Sequence, residues 1–496
     1  MIYLILLFTI LFFILAWRRL DLAVMFLIAA LPAYLIRFNI FGLPSTILEM
    51  MIWVVFIVWF IRNFSQVKNN FLENFKKDSQ KIKIRYPFDW EMVLLLLISL
   101  SAVAVAGFGF SSFGIWKAYF FEPILFFIVA LNVIKGEKGR EKILWSLAIS
   151  ALVVSTLAIY QKITGAFIDN PTWAVAETRR VVSFFGYPNA VGLYLGPIVL
   201  VMIGWLTTLS FPKPWASGNP GSRGTNTVLD SLPTEQAGRL RGNDKESRND
   251  IIKIAFIALT ILLSILAIYF ARSKGALLGV AVGFLAFGLM ANKKVRLATA
   301  AVLLIVAGGI LSYLPARDLA IKNITLTNLS GQIRQAGWSD SWRMLKDSRL
   351  LIGAGLANFQ TAIKPYHTEG IFIKDFSDPD FQRKLVFNEP YRTAHWQPLE
   401  IYLYPHNLVL NFWSEIGLAG LLLFIWIIGK YFWLGARNWK TQENRYIVIG
   451  FIGAMVAIIA HGLVDAPYFK NDLAVIFWLL IAMMSLINLE NNYLPR

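Results

Sequence analysis

The stretch IIKIAFIALTILLSILAIYFARSKGALLGVAVGFLAFGLMA, residues 251–291, decides the fold. Two apolar runs, 251–270 and 275–291, flank a four-residue turn that carries Arg272 and Lys274. Runs of this length can cross about 30 Å of hydrocarbon. A turn so short permits only a reversal of direction, so the segment reads as a membrane hairpin. The same pattern extends outward in both directions. Thirteen spans are predicted, at 2–17, 21–36, 46–61, 91–107, 115–134, 143–160, 188–209, 251–270, 275–291, 297–314, 406–429, 446–464 and 472–488. The first two are short and divided only by Arg18-Arg19-Leu20, so the fold is expected to be an all-α integral membrane protein of about 12–13 transmembrane helices. The run Ile2–Trp17 lacks a basic leader region and a small-residue cleavage site, and it reads as a retained helix.

Composition agrees. Of 496 residues 57% are hydrophobic and 16% charged, against roughly 45–50% and about 25% in soluble globular chains. Mean hydropathy is +0.58. A soluble enzyme and a disordered chain are excluded. The net charge of +17 resembles a nucleic-acid binder's, yet the Lys and Arg lie mostly between apolar runs, where they orient helices, so no nucleic-acid partner is expected. With no cysteine there is no disulfide, thiolate nucleophile or Cys-ligated metal. Four scattered histidines, His367, His395, His406 and His461, give no metal-ligand spacing.

Basic residues set the orientation. With Arg18-Arg19 placed in the cytoplasm and sides alternating, 28 of the 47 Lys and Arg fall on the cytoplasmic side. Of the 19 opposite, 11 lie in the long connection 315–405, where the rule is weak, which leaves 28 against 8 in the short connections. The N-terminus is predicted outside and the C-terminus inside. The Gly-, Ser-, Pro- and charge-rich segment 211–249 is expected to be a disordered cytoplasmic insert. The long, aromatic connection 315–405 is expected to be an ordered, partly helical external loop.

Charged groups near the membrane gather on that external side. Arg179 and Arg180 precede the seventh span, Arg272 and Lys274 form the hairpin turn, Arg334 lies in the long loop, and His406 opens the eleventh span. Cations at a lipid–water boundary suit an anionic headgroup, and a diphosphate leaving group is the natural candidate. A histidine titrating near neutrality can take the proton of an attacking hydroxyl. Each residue also has a plainer reading. Arg179 and Arg180 could be snorkelling anchors, and His406 an ordinary residue of a Pro-His-Asn helix start. His461 would end a helix or pair with Asp465. Glu122 needs a partner, for which Lys117 is the candidate, and Glu415 on its apolar helix would order neighbours.

Five motifs in order carry a resemblance. They are R-x-x-S-F-F-x-x-P-N (Arg180 to Asn189), S-K-G-A (Ser273 to Ala276), and R-x-x-x-W with D-x-x-L-x-x-G-A-G-L-x-N-F (Arg334, Trp338, Asp347 to Phe359). P-H-N-L with E-x-G-L-x-G (Pro405 to Gly420) and H-x-L-V-D-x-P (His461 to Pro467) complete them. From about 180 to 485 the chain resembles the O-antigen ligase and polymerase family of polytopic bacterial glycosyltransferases. The first 170 residues match in hydropathy pattern alone.

The resemblance implies a single membrane domain similar to other multi-spanning glycosyltransferases of the GT-C-like kind. It implies transfer of a glycan from an undecaprenyl-diphosphate donor to an acceptor hydroxyl at the outer face of the cytoplasmic membrane, by an inverting reaction without metal or other cofactor. His406 falls at the family's catalytic histidine, and Arg180 and Arg334 at its arginines. The family's S-R-G turn reads Ser273-Lys274-Gly275 here, and Arg272 is the expected compensation. Arg349 stands where the family often has proline. The expected site is therefore His406 as base, with Arg180, Arg272, Lys274 and Arg334 on the diphosphate. The acceptor, whether lipid, glycan or protein, stays open, and with it the choice of ligase, polymerase or protein oligosaccharyltransferase. A lipid-linked glycan transporter is the rival from another class, but its charges belong near the midplane of related halves, and no internal repeat is visible.

Overall fold

The computed structural model describes residues 2–40, 42–75, 87–210, 234–376, 378–439 and 444–493. Each of the thirteen predicted spans coincides with helix. The helices are α1 (Ile2–Arg18), α2 (Leu20–Ala29), α3 (Ile47–Phe75), α4 (Asp89–Val105), α5 (Phe110–Val133) and α6 (Gly136–Thr164). They continue with α7 (Pro188–Ser210), α8 (Thr234–Ala271), α9 (Lys274–Met290) and α10 (Lys293–Ser312). Among the described residues nine helices are long and apolar enough to cross a membrane, and α1, α2 and α9 are shorter apolar helices. The chain is a multi-pass, all-α membrane protein.

One sequence expectation changes in detail. The second span is α-helical only as far as Ala29 and continues as a 3₁₀ turn over Leu31–Leu35, because Pro32 lacks the N–H that an α-helix would need there. Of the insert 211–249, residues 211–233 lie outside the described residues. Residues 234–249 form the first turns of α8. Its Glu, Gln, Arg and Lys are good helix formers, and the apolar part of α8 already supplies the costly nucleus, so the polar turns only need to propagate.

Residues 315–405 fold as an ordered cap. It begins with α11 (Leu314–Ile324) and α12 (Leu329–Met344), and it includes a small antiparallel sheet of Gly370–Phe372 with Trp396–Pro398. The helices α13 (Leu408–Asn438), α14 (Arg445–Gly462) and α15 (Asn471–Tyr493) return to the bundle. Helix α15 is its axis: 89% of its apolar window is buried, against 6% for α10, which stands at the margin.

Polar contacts sort the connections into two groups at opposite ends. At one end Arg140 pairs with Glu490, Lys142 with Asp21, Lys253 with Glu141, and Lys430 with Glu91. At the other, Lys117 bridges Glu49 at 2.6 Å, and Trp53 Nε1 donates to Glu122 at 2.7 Å while Lys117 stands 3.9 Å from that carboxylate. Glu122 is thus partnered mainly by Trp53. The basic turns of the hairpin, the connection before α7 and the cap all belong to this second end.

The glycine-rich cap motif fastens the cap to the bundle. Helix α13 breaks at Ile416–Gly417, and Ala354 N–H donates to the Ser414 carbonyl there at 2.6 Å. Glu415 accepts from Ala357 N–H at 2.9 Å, so it does order neighbours. Gly355 has φ +86°, and a Cβ on it would stand 2.8 Å from both the Ala102 carbonyl oxygen and the Ala106 nitrogen. Gly355→Ala is therefore expected to destabilise the protein by about 2–4 kcal/mol, read as a lowered thermal midpoint in detergent; an unchanged midpoint would contradict this account of the motif.

Candidate active site

Three elements bring the site together at the cap end. The first is the start of α13. Asn407, not His406, caps this helix, its Oδ1 accepting from Leu410 N–H at 3.0 Å, while its Nδ2 donates to the Leu463 carbonyl. His406 is thereby released from helix-capping duty. Its backbone is left-handed, φ +49°, a conformation that costs a non-glycine residue free energy and collects at functional positions. Trp338 steadies it by donating Nε1–H to the Pro405 carbonyl at 2.8 Å.

The second element is the connection between α14 and α15. Asp465 is 4% exposed, while His406 is 34% exposed. His406 Nδ1 faces Asp465 Oδ1 at 3.4 Å, a long contact. Ala466 N–H donates to Oδ1 at 2.9 Å, Asn189 Nδ2 donates to Oδ2 at 3.1 Å, and His461 Nε2 lies 4.0 Å from Oδ2. Burial opposes ionisation of Asp465, but hydrogen bonding from His406, the charge of both histidines and the Ala466 amide outweigh it and hold the carboxyl well below the usual carboxylate range. Tyr468 fixes this connection by donating its hydroxyl to the Tyr119 carbonyl at 2.8 Å, inside a cluster with Phe412, Phe469 and Phe477.

The third element is the pair of α9 and α12. A cleft of about 470 Å³ is lined by His406, Lys274, Arg334, Asn189, Ser330 and Tyr402, among others. Arg334 donates Nη1–H to Ser330 Oγ at 2.6 Å, while its buried Nε has no hydrogen-bond partner among the described residues. Lys274 donates to Asn323 Oδ1 at 3.1 Å from an exposed position. Arg334 and Trp338 are one helical turn apart, so one face of α12 serves both the cleft and the histidine's support.

The other two expected cations stand differently. Arg180 does not line the cleft. Its Nη2 donates to Asn189 Oδ1 at 3.3 Å and its Nε to the Ala271 carbonyl at 3.1 Å. Burial, and then the neighbouring Arg272, lower the proton affinity of this guanidinium. Arg272 is exposed on the hairpin turn, with φ +51° and a hydrogen bond to the Glu177 carbonyl at 3.3 Å. Arg179 closes the end of α6 through the Lys162 and Ile163 carbonyls, as a helix anchor does.

Sequence reasoning singled out neither Asn189 nor the pairing of Asp465 with His406. Asn189 joins Arg180 to Asp465, and the P-N of its motif was the available signal. Asp465 was legible only as the neighbour of His461, one turn before it. His461 keeps that place in the last turn of α14, against Gly275, where a Cβ would meet its ring at 2.8 Å.

Residues 259–425 match the family model described as O-antigen ligase. Over that stretch, about a third of its length, the chain is similar to the O-antigen ligase family. That stretch holds Arg272, Lys274, Arg334 and His406, while Asn189 and Asp465 lie outside it. A Rickettsia bellii (strain RML369-C) protein whose name proposes a polysaccharide ligase is 30% identical over 135 residues, 25% of this chain and 31% of the relative. The matched stretch thus spans about a third of that relative's length.

Proposed function

We propose that the chain is a membrane glycosyltransferase that moves a glycan from an undecaprenyl-diphosphate donor to an acceptor hydroxyl, with its site at the outer face of the cytoplasmic membrane. One observation carries the reading: a histidine backed by a buried carboxylate opens onto the same cleft as Arg334 and Lys274. The match of residues 259–425 to the O-antigen ligase family model supports it.

In this reading Asp465 accepts from Nδ1–H of His406, which leaves Nε2 free to act as the base. The acceptor oxygen attacks the anomeric carbon, and the bond from that carbon to the diphosphate oxygen breaks. The hydroxyl proton passes to Nε2, and the electron pair leaves on the diphosphate. Arg334, with its unpartnered Nε, and Lys274 meet the charge that develops there, without a metal ion. Arg180 acts through Asn189, keeping Asp465 in place, and Arg272 lies at the rim for the distal part of the donor. The similarity to the O-antigen ligase family favours a lipid-linked core sugar as acceptor.

A single displacement inverts the anomeric centre. The experiment is nuclear magnetic resonance of the linkage formed from a donor of known configuration. The expected product is inverted; a retained configuration would overturn the single-step reading.

A further inference from the structure

A second cleft lies at the opposite end of the bundle. Helix α6 has 29 residues and so measures about 43 Å. Its last turn is held by Arg179 at the site end, and its first turn lines a cleft of about 220 Å³ against α2. Three lysines, Lys135, Lys138 and Lys142, face this cleft with a single carboxylate, Asp21. Asp21 is already engaged by Arg19 at 3.2 Å and by Lys142 at 2.9 Å. Among the described residues no carboxylate pairs with Lys135 or Lys138, and the connections sharing this end are themselves rich in Lys and Arg, so the cleft suits an anion from outside the chain.

We infer that this cleft binds the phosphate of an anionic phospholipid headgroup. The shape favours a lipid over a free ion. Besides the lysines the cleft is lined by apolar residues, Met25 and Ile143 among them. Next to Met25 on α2, Phe26 is 43% exposed, offering apolar surface to an acyl chain. Basic pockets between helix ends on the cytoplasmic side are suited to such headgroups, each lysine adding a comparable attraction. Helix α6 adds to it, since its N-terminus, which favours an anion, begins at Lys135, whose cap position makes no side-chain cap hydrogen bond. The bound lipid would hold the α1–α2 pair against α6.

The test is native mass spectrometry of the full chain in neutral detergent, with phosphatidylglycerol, phosphatidylcholine or inorganic phosphate added. The wild type is expected to retain phosphatidylglycerol in preference to phosphatidylcholine. The double variant Lys135→Gln/Lys138→Gln should weaken that binding by about thirtyfold, the loss of two lysine attractions. The control Lys293→Gln/Lys294→Gln, two exposed lysines at the start of α10, should bind as the wild type does. Unchanged binding in the first variant, or an equal loss in the control, would overturn the site. Displacement of the lipid by millimolar phosphate would make it a soluble-anion site and overturn the lipid assignment.

Discussion

His406→Ala is expected to lower glycan transfer by about 10²–10⁴-fold, the usual contribution of a positioned general base, while the protein remains folded and membrane-inserted. The side chain is one-third exposed and makes one long polar contact, to Asp465. Its removal costs little packing, and Asn407 still caps α13. A thermal midpoint near that of the wild type, measured beside the rate, separates loss of chemistry from loss of fold. A variant that retains its rate would remove His406 from the mechanism.

Asp465→Asn has the second large effect, argued from the other side of the same pair. Asparagine fills the same space, yet its amide presents N–H as well as oxygen to Nδ1 and does not enforce the tautomer that leaves Nε2 as acceptor. Transfer is expected to fall by about 10²-fold or more, with KM for the donor little changed, because Arg334 and Lys274 are untouched. The pH dependence follows with its sign. A carboxyl held below its unfolded value of about 3.9 contributes stability that is complete above that pH and is lost only as pH falls toward the folded value. Between pH 4 and 7 Asp465 therefore stays ionised and is expected to add no ionisation of its own to the acid limb of the wild-type kcat/KM profile. An ionisation in that range that disappears in Asp465→Asn would contradict the depressed carboxyl.

Why some of this is legible in the sequence and some is not has a physical reason. Apolar runs report helices because hydrocarbon tolerates no unsatisfied backbone, so all thirteen positions could be marked. Their ends were less certain where one residue decides, as Pro32 does for α2. The polar turns of α8 escape a composition argument because their helicity is borrowed from the apolar turns that follow. In the site, Lys274, Arg334 and His406 stand beside helix ends and could be placed at one face by counting spans. Counting gives the end of a helix but not the direction of its side chain. Arg180 and Arg272 share that end, yet one turns to Asn189 and the other to the Glu177 carbonyl. Asp465 lies 59 residues from His406, and only the meeting of α13 with the α14–α15 connection joins them. The glycines of 353–355 were visible as a motif. Their reason, the close passage of the cap past α4 and the break in α13, exists only in three dimensions.

The central claim is that this protein itself transfers a glycan from a lipid diphosphate by means of His406. The most direct measurement is reconstitution of the purified chain with a labelled undecaprenyl-diphosphate glycan and a panel of acceptors, chelator present, wild type beside His406→Ala. The account predicts transfer by the wild type to a lipid-linked core sugar, and a rate lower by at least about 10²-fold in the variant. Movement of the labelled lipid between leaflets by both proteins, with no new glycosidic linkage formed, would contradict it.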